Sequence, residues 1–133
     1  MPSRAILARE LSAMLKVIAH PDRVRLIEEL KGGALDVSAL SERLDLPATR
    51  ISQHLGLLKA HRILEERRDG RFHHYSLAER DLANWLLDGV RFLEHRAQSD
   101  IAAQRVIEAA ERLWRAGESK VRAGEPYDSG EPA

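Results

Sequence analysis

The sequence predicts a mainly α fold with one small β-hairpin: a winged helix-turn-helix, homodimeric, with extended C-terminal helices. Three observations carry the helix-turn-helix and its wing. Within Pro47 to Ala60, Ile51, Leu55 and Leu58 recur at helical spacing and form one apolar stripe. Ahead of it, Asp36 to Leu44 reads as a two-turn helix, with Asp36 as N-cap and Val37, Leu40 and Leu44 as its stripe. Only Asp45 and Leu46 then separate it from Pro47, a residue suited to the first helical position, so two short helices meet across a tight turn. Behind it, Leu64–Arg68 and Arg71–Tyr75 flank Asp69-Gly70, the signal of a hairpin with a type I′ turn.

The second of the two short helices has the chemistry of a DNA reader. Thr49, Gln53, Gly56 and Ala60 point away from the apolar stripe, with Arg50 and Ser52 on its flanks. That face is short, polar and free of acids. Gln and Arg present the paired geometry that reads base edges in the major groove. Taken alone, such a pattern is an ordinary solvated amphipathic helix; the preceding helix and the following hairpin change that reading. The residues expected to contact DNA are Thr49, Arg50, Ser52, Gln53, His54 and Lys59 on the helix, and Arg67, Arg68 and Arg71 on the hairpin. The hairpin arginines suit phosphates or the minor groove. His54 lies at the edge of the stripe, where it either donates to a phosphate or packs the helix inward.

Four ordered motifs carry a family resemblance. They are Ala19-His20-Pro21-Asp22-Arg23-Val24-Arg25-Leu26-Ile27, Val37-Ser38-Ala39-Leu40, Ile51-Ser52-Gln53-His54-Leu55-Gly56-Leu57-Leu58, and the wing from Arg67 to Tyr75. Together, over roughly Leu11 to Phe92, the chain resembles the ArsR/SmtB-like group of small dimeric repressors. The resemblance implies a homodimer that binds an operator and leaves it when an inducer binds.

Bulk composition sets limits on this. A chain of 133 residues, 44% apolar and 32% charged, fits one soluble helical domain. Lys+Arg and Asp+Glu are both 21, so the net charge is zero, but its distribution is uneven. From Arg43 to Tyr75 seven basic residues stand against four acids, and four of the six histidines lie there too. From Ser76 to Ala133 the balance reverses, eight basic against eleven acidic. No cysteine is present, which excludes disulfides, thiolate metal sites and thiol redox sensing. No apolar run approaches membrane-spanning length and no signal-peptide core opens the chain, so no membrane partner is expected and a cytoplasmic location is.

In chain order, Arg4 to Ala19 reads as a helix with a broad stripe of Ile6, Leu7, Leu11, Met14, Leu15 and Ile18, part of which is expected to face a second subunit. Pro21 opens the next helix, with Val24, Ile27 and Leu30 inward and a stop at Gly32-Gly33. Leu64 and Tyr75 are expected to pack the base of the wing on the helices. Ser76-Leu77-Ala78-Glu79 has the form of a capping box, so a helix is expected to begin there, with Leu82, Trp85, Leu86, Gly89, Val90, Leu93 and Ala97 on one face. A second apolar set, Ile101, Val106, Ile107, Ala110, Leu113 and Trp114, follows a break expected near Gln98, where Ser99-Asp100 suits a cap. The dimer interface is expected at Leu11, Leu15, Leu82, Trp85, Leu86, Val90 and Leu93. The organisation is then residues 1–98 for DNA binding and dimerisation, 99–123 for a helical extension, and 124–133 for a disordered tail rich in Pro, Gly and acids.

No cofactor and no metal site are expected. The metal sites that the family resemblance would bring are incomplete: the helix from Asp36 to Leu44 has no cysteine, and on the helix after the wing neither Asp81 nor His95 has its chelating neighbour. Asp81, Asp88 and His95 recur every seven residues, about 10 Å apart along one helix and too far to share an ion. His73 and His74 are strand neighbours on opposite faces. No nucleophilic triad or phosphate-binding loop is present, and catalysis is not expected. Any inducer is expected to be a small apolar or mixed molecule near the dimer interface, where Trp85 and Trp114 either line a pocket or fill the dimer core. The alternative to a DNA-binding repressor is a winged-helix module that docks on protein instead of DNA, an option the zero net charge leaves open.

Overall fold

The computed structural model describes residues 3–97 and 100–122. Its elements are α1 (Arg4–Ile18), α2 (Pro21–Leu30), α3 (Val37–Leu44), α4 (Ala48–Ala60), β1 (Leu64–Asp69), β2 (Phe72–Leu77), α5 (Leu82–Ala97) and α6 (Ile101–Arg122). This is the mainly α winged helix-turn-helix expected, with the helical extension in place.

Local chemistry explains most element ends. Ser3 caps α1 by accepting from the Ile6 amide, and Asp36 caps α3 by accepting from Ala39 N–H at 2.8 Å. His20 caps α2 through Nδ1, which accepts from the Asp22 amide at 3.0 Å, with Pro21 opening the helix. Asp45 ends α3 in the left-handed conformation, φ 54°, a geometry that short Asp tolerates. Pro47 lies one step earlier than expected: it is the N-cap of α4 and not its first helical residue.

One apolar core joins the elements. Leu26, Ile27, Leu35, Leu40, Ile51, Leu55 and Leu58 are wholly buried, and each lies on the stripe of its helix or in the link between α2 and α3. Leu64 is buried at the wing base. Tyr75 is half-buried there and pairs with Leu35 through two backbone hydrogen bonds of 2.8 and 2.9 Å. The wing thus gains a third, one-residue strand that anchors it to the helices.

Two expectations around the wing are corrected. The hairpin register pairs Asp69 with Phe72, so the two turn residues are Gly70 and Arg71, not Asp69 and Gly70. Gly70 has φ +60° and Arg71 has no positive φ, which is the pattern of a type II′ turn with Gly first. The proposed capping box does not start a helix: Ser76 pairs with Glu65 and Leu77 with Leu64, so both belong to β2. Ladder bonds and the burial of Leu77 outweigh the local capping signal, and α5 begins at Leu82.

The C-terminal helices divide their apolar residues between two sides. In α5, Ala83 and Leu87 are buried, and Leu82, Leu86 and Val90 pack against the core while keeping some exposed surface. Trp85 and Leu93 stay 46% and 48% exposed, as do Leu11 (47%) and Leu15 (42%) on α1. Asp100 caps α6 by accepting from the amides of Ala102 and Ala103. α6 packs on α5 and buries Trp114 in its own chain, where Lys31 Nζ donates to the Trp114 carbonyl and lies 5.9 Å from its ring. Trp114 is therefore core of one subunit, contrary to its expected place in a pocket or in the dimer core. Ile101, Val106 and Leu113 remain exposed on the other side of α6. Gln98, where the helix break was expected, and the tail 124–133 lie outside the described residues. No described helix is long and apolar enough to cross a membrane.

Candidate nucleic-acid interface

Burial of Ile51, Leu55 and Leu58 fixes which face of α4 looks outward. Thr49, Arg50, Ser52, Gln53 and Lys59 are all exposed on it. Gly56 sits among them with nothing within 4 Å of where a Cβ would lie, so the helix surface is low there. An ion-pair cluster ties the C-terminal end of α4 to the wing. Lys59 Nζ donates to Glu66 Oε2 at 2.6 Å, Arg68 Nε reaches Glu66 Oε1 at 3.4 Å, and His73 Nδ1 shares Oε1. The hydrogen bonds from Lys59 and then His73 pull the Glu66 carboxyl down to about 2. Burial, and then the Glu66 charge, push the Tyr75 phenol upward. Arg67 and Arg71 are exposed, and among the described residues neither makes an ion pair with an acid. Two exposed cations thus stand at the wing, beside the polar face of α4.

The N-terminal end of α4 is tied down by α2. Asp22, itself 9% exposed, pairs with the Arg50 guanidinium, Nε 2.9 Å from Oδ2, and faces His54 Nε2 at 3.2 Å. His54 is turned inward: its side chain is 12% exposed, its ring lies 4.6 Å from that of His20, and its Nδ1 is 3.4 Å from Arg23 Nη1. Burial pushes the His54 imidazole below its ordinary value, and the hydrogen bond to Asp22 works in the opposite sense. Of the nine residues expected at DNA, the structure groups Lys59 and Arg68 through Glu66, links Arg50 to α2, and turns His54 toward the core. The other five are exposed. Sequence reasoning missed Glu66 and the group His20, Asp22 and His54. Asp22 and His54 are 32 positions apart, and His20-Pro21-Asp22 reads only as a helix start. The lack of acids on the outer face of α4 was visible, but the acids that anchor its bases lie on other elements.

Fold and surface together define a winged helix-turn-helix of the DNA-binding kind. A helix-turn-helix domain family matches residues 18–67. The transcriptional repressor SdpR of Bacillus subtilis is 31% identical over 81 residues, covering 59% of this chain and 90% of that protein. A biofilm growth-associated repressor of Agrobacterium fabrum is 35% identical over 79 residues, 59% of this chain and 68% of that one. Among solved structures, the homodimeric winged helix-turn-helix domain of Mb0332 from Mycobacterium bovis, a possible ArsR-family regulator, superposes with a TM-score of 0.62 at 26% identity, over 74% of this chain and 92% of that one. The chain belongs to the ArsR/SmtB-like family of winged helix-turn-helix transcriptional regulators. It is a DNA-binding regulator and not an enzyme.

Proposed function

We propose that the protein is a cytoplasmic, homodimeric repressor that binds a two-fold operator through α4 and the wing. The observation that carries this is the cluster on Glu66. It fixes the wing to the end of α4, so that the polar helix face and the arginine tip form one surface with a basic edge. In this reading Gln53, with Thr49 and Ser52, reads base edges, while Arg50, Lys59, Arg67, Arg68 and Arg71 hold phosphates. His54 supports the helix from beneath. Self-association uses the exposed apolar residues of α1 and α5, Leu11, Leu15, Trp85 and Leu93, with the outer parts of Leu82, Leu86 and Val90. Two-fold symmetry then sets the recognition helices about one DNA turn apart.

An inducer site fits the same region. A cavity of about 500 Å³ lies between α1, the end of α4 and the start of α5, with Leu7, Leu11, Met14 and Leu82 as apolar walls and Glu10 and Arg62 as polar ones. It suits a small molecule of mixed character, and neither tryptophan lines it. The test is affinity for duplex DNA against salt, using bulk DNA and any inverted repeat upstream of the gene. A repressor of this kind loses affinity steeply as salt rises and prefers the repeat. No binding even at low salt would favour a protein-docking module.

A further inference from the structure

His20, Asp22 and His54 each offer one ligand atom, and these atoms all lie within 4.8 Å of one another. The His54 Nε2–Asp22 Oδ2 distance is 3.2 Å and the His20 Nδ1–Asp22 Oδ2 distance is 3.9 Å. Two ligands bound to zinc at tetrahedral angles stand roughly 3.3 Å apart, given metal–nitrogen and metal–oxygen bonds near 2.0–2.1 Å. The first pair already has that spacing and the second needs only a small side-chain rotation. The His20 side chain is 36% exposed, which leaves an entry path from solvent, whereas Asp22 and His54 are sheltered at 13% and 12%. The group is held by two elements, the start of α2 and the middle of α4, so its spacing is set by the fold. It is distinct from both positions that the family resemblance would have pointed to, in helix 3 and along the long helix after the wing.

We propose that His20, Asp22 and His54 form a site for one divalent transition-metal ion of the zinc class, and that this ion takes Asp22 from Arg50. Two imidazoles and one carboxylate suit zinc, cobalt or nickel, with a fourth position left to water. Oδ2 of Asp22 already lies 2.9 Å from Arg50 Nε in an ion pair, so metal ion and guanidinium compete for one oxygen. Ligation through His54 Nε2 places the ring proton on Nδ1, which gives up the 3.4 Å contact with Arg23. His20 either gives up its bond to the Asp22 amide or ligates through its other nitrogen. Arg50 stands at the first turn of α4, so occupancy of the site frees a cation on the recognition helix. That last consequence rests on the DNA-binding reading; the metal site itself does not.

The test is titration of tag-free, full-length protein with cobalt(II) in the absence of DNA, followed by visible absorption and then by displacement with zinc. The expected result is one cobalt per chain with a d–d spectrum of low coordination number, lost on adding zinc. His20→Asn keeps a side-chain acceptor at the N-cap but removes an imidazole, and should weaken binding at least tenfold with unchanged circular dichroism. His54→Gln should weaken it likewise. Arg50→Gln removes the competitor and should tighten binding by roughly threefold, the worth of one half-exposed ion pair. Absence of cobalt binding, or binding unaffected by both His20→Asn and His54→Gln, would overturn the site. Equal affinity in Arg50→Gln and the unaltered protein would overturn the competition. None of these readouts depends on DNA, so failure here leaves the operator reading standing.

Discussion

Asp22, in the first turn of α2, forms an ion pair with Arg50, in the first turn of α4, with Nε and Oδ2 2.9 Å apart. The same carboxylate oxygen faces His54 one turn further along α4. One sheltered acid therefore fixes how the recognition helix sits on the helix beneath it. Asp22→Ala should leave His54 and Arg50 without their acceptor and destabilise the fold by about 1–3 kcal/mol, the cost of an unsatisfied polar group, and toward the lower end because Arg50 is half exposed. Urea unfolding monitored by circular dichroism would show a lower midpoint. An unchanged midpoint would mean that the tie contributes nothing to stability.

Acid should lower stability through the same histidine, because the buried site disfavours its charged form. Burial depresses the His54 value in the folded state below its unfolded value near 6.5. The unfolded chain then binds more protons between the two values, so stability rises with pH across that window. His54 contributes its full share above about pH 6.5, and that share is lost as pH falls through the folded value. The Glu66 carboxyl, held at about 2, titrates well below this range. In chelator-containing buffer, the urea midpoint should fall between pH 7.5 and 5.5, and less so in His54→Gln. Equal pH dependence in both proteins would show that His54 is not the titrating group.

Glu66 neutralises part of the basic edge of the proposed interface. Its carboxylate engages Lys59, Arg68 and His73 at once. Glu66→Gln removes one negative charge and loosens two cations. Affinity for random duplex DNA should rise, and the log–log salt slope should steepen by about one per subunit. If affinity fell instead, the positioning of the wing by Glu66 would matter more than the charge it neutralises.

Self-association is tested on the exposed apolar face. Leu15→Glu on α1 and Trp85→Glu on α5 alter side chains that are 42% and 46% exposed, so the fold of one chain should survive. Sedimentation should show the unaltered protein as a dimer and each variant as a monomer at micromolar concentration. Variants that stay dimeric would place the interface elsewhere, with the exposed Ile101, Val106 and Leu113 face of α6 as the next position to alter.

The helix-turn-helix was legible because its signals are local. Asp36, Pro21 and the stripe of α4 act within a few residues of themselves, and the structure keeps all three. Where local signals competed, the long-range contact won. Ser76 to Glu79 has the letters of a capping box, yet Leu77 belongs to the ladder because Leu64 lies opposite it. Trp114 stands in the apolar set of α6 and suits a pocket or the dimer core, but α6 packs back on the chain and buries it beside Lys31. The outward face of α4 was readable from periodicity alone. Asp22 beneath it and Glu66 beside it were not, since pairs separated by 28 positions (Asp22 and Arg50) or held across a hairpin (Glu66 and His73) leave no periodic trace in a single sequence.

The central claim is that α4 reads bases while the wing holds the backbone. It is tested most directly by measuring Gln53→Ala and Arg71→Ala on an operator duplex and on random duplex, by fluorescence anisotropy over a range of salt. Gln53→Ala should cost roughly 1–3 kcal/mol on the operator and little on random DNA, with the salt slope unchanged. Arg71→Ala should weaken both duplexes about equally and reduce the slope by about one. Loss of operator and random binding alike in Gln53→Ala, or a loss in Arg71→Ala confined to the operator, would contradict the assignment of roles.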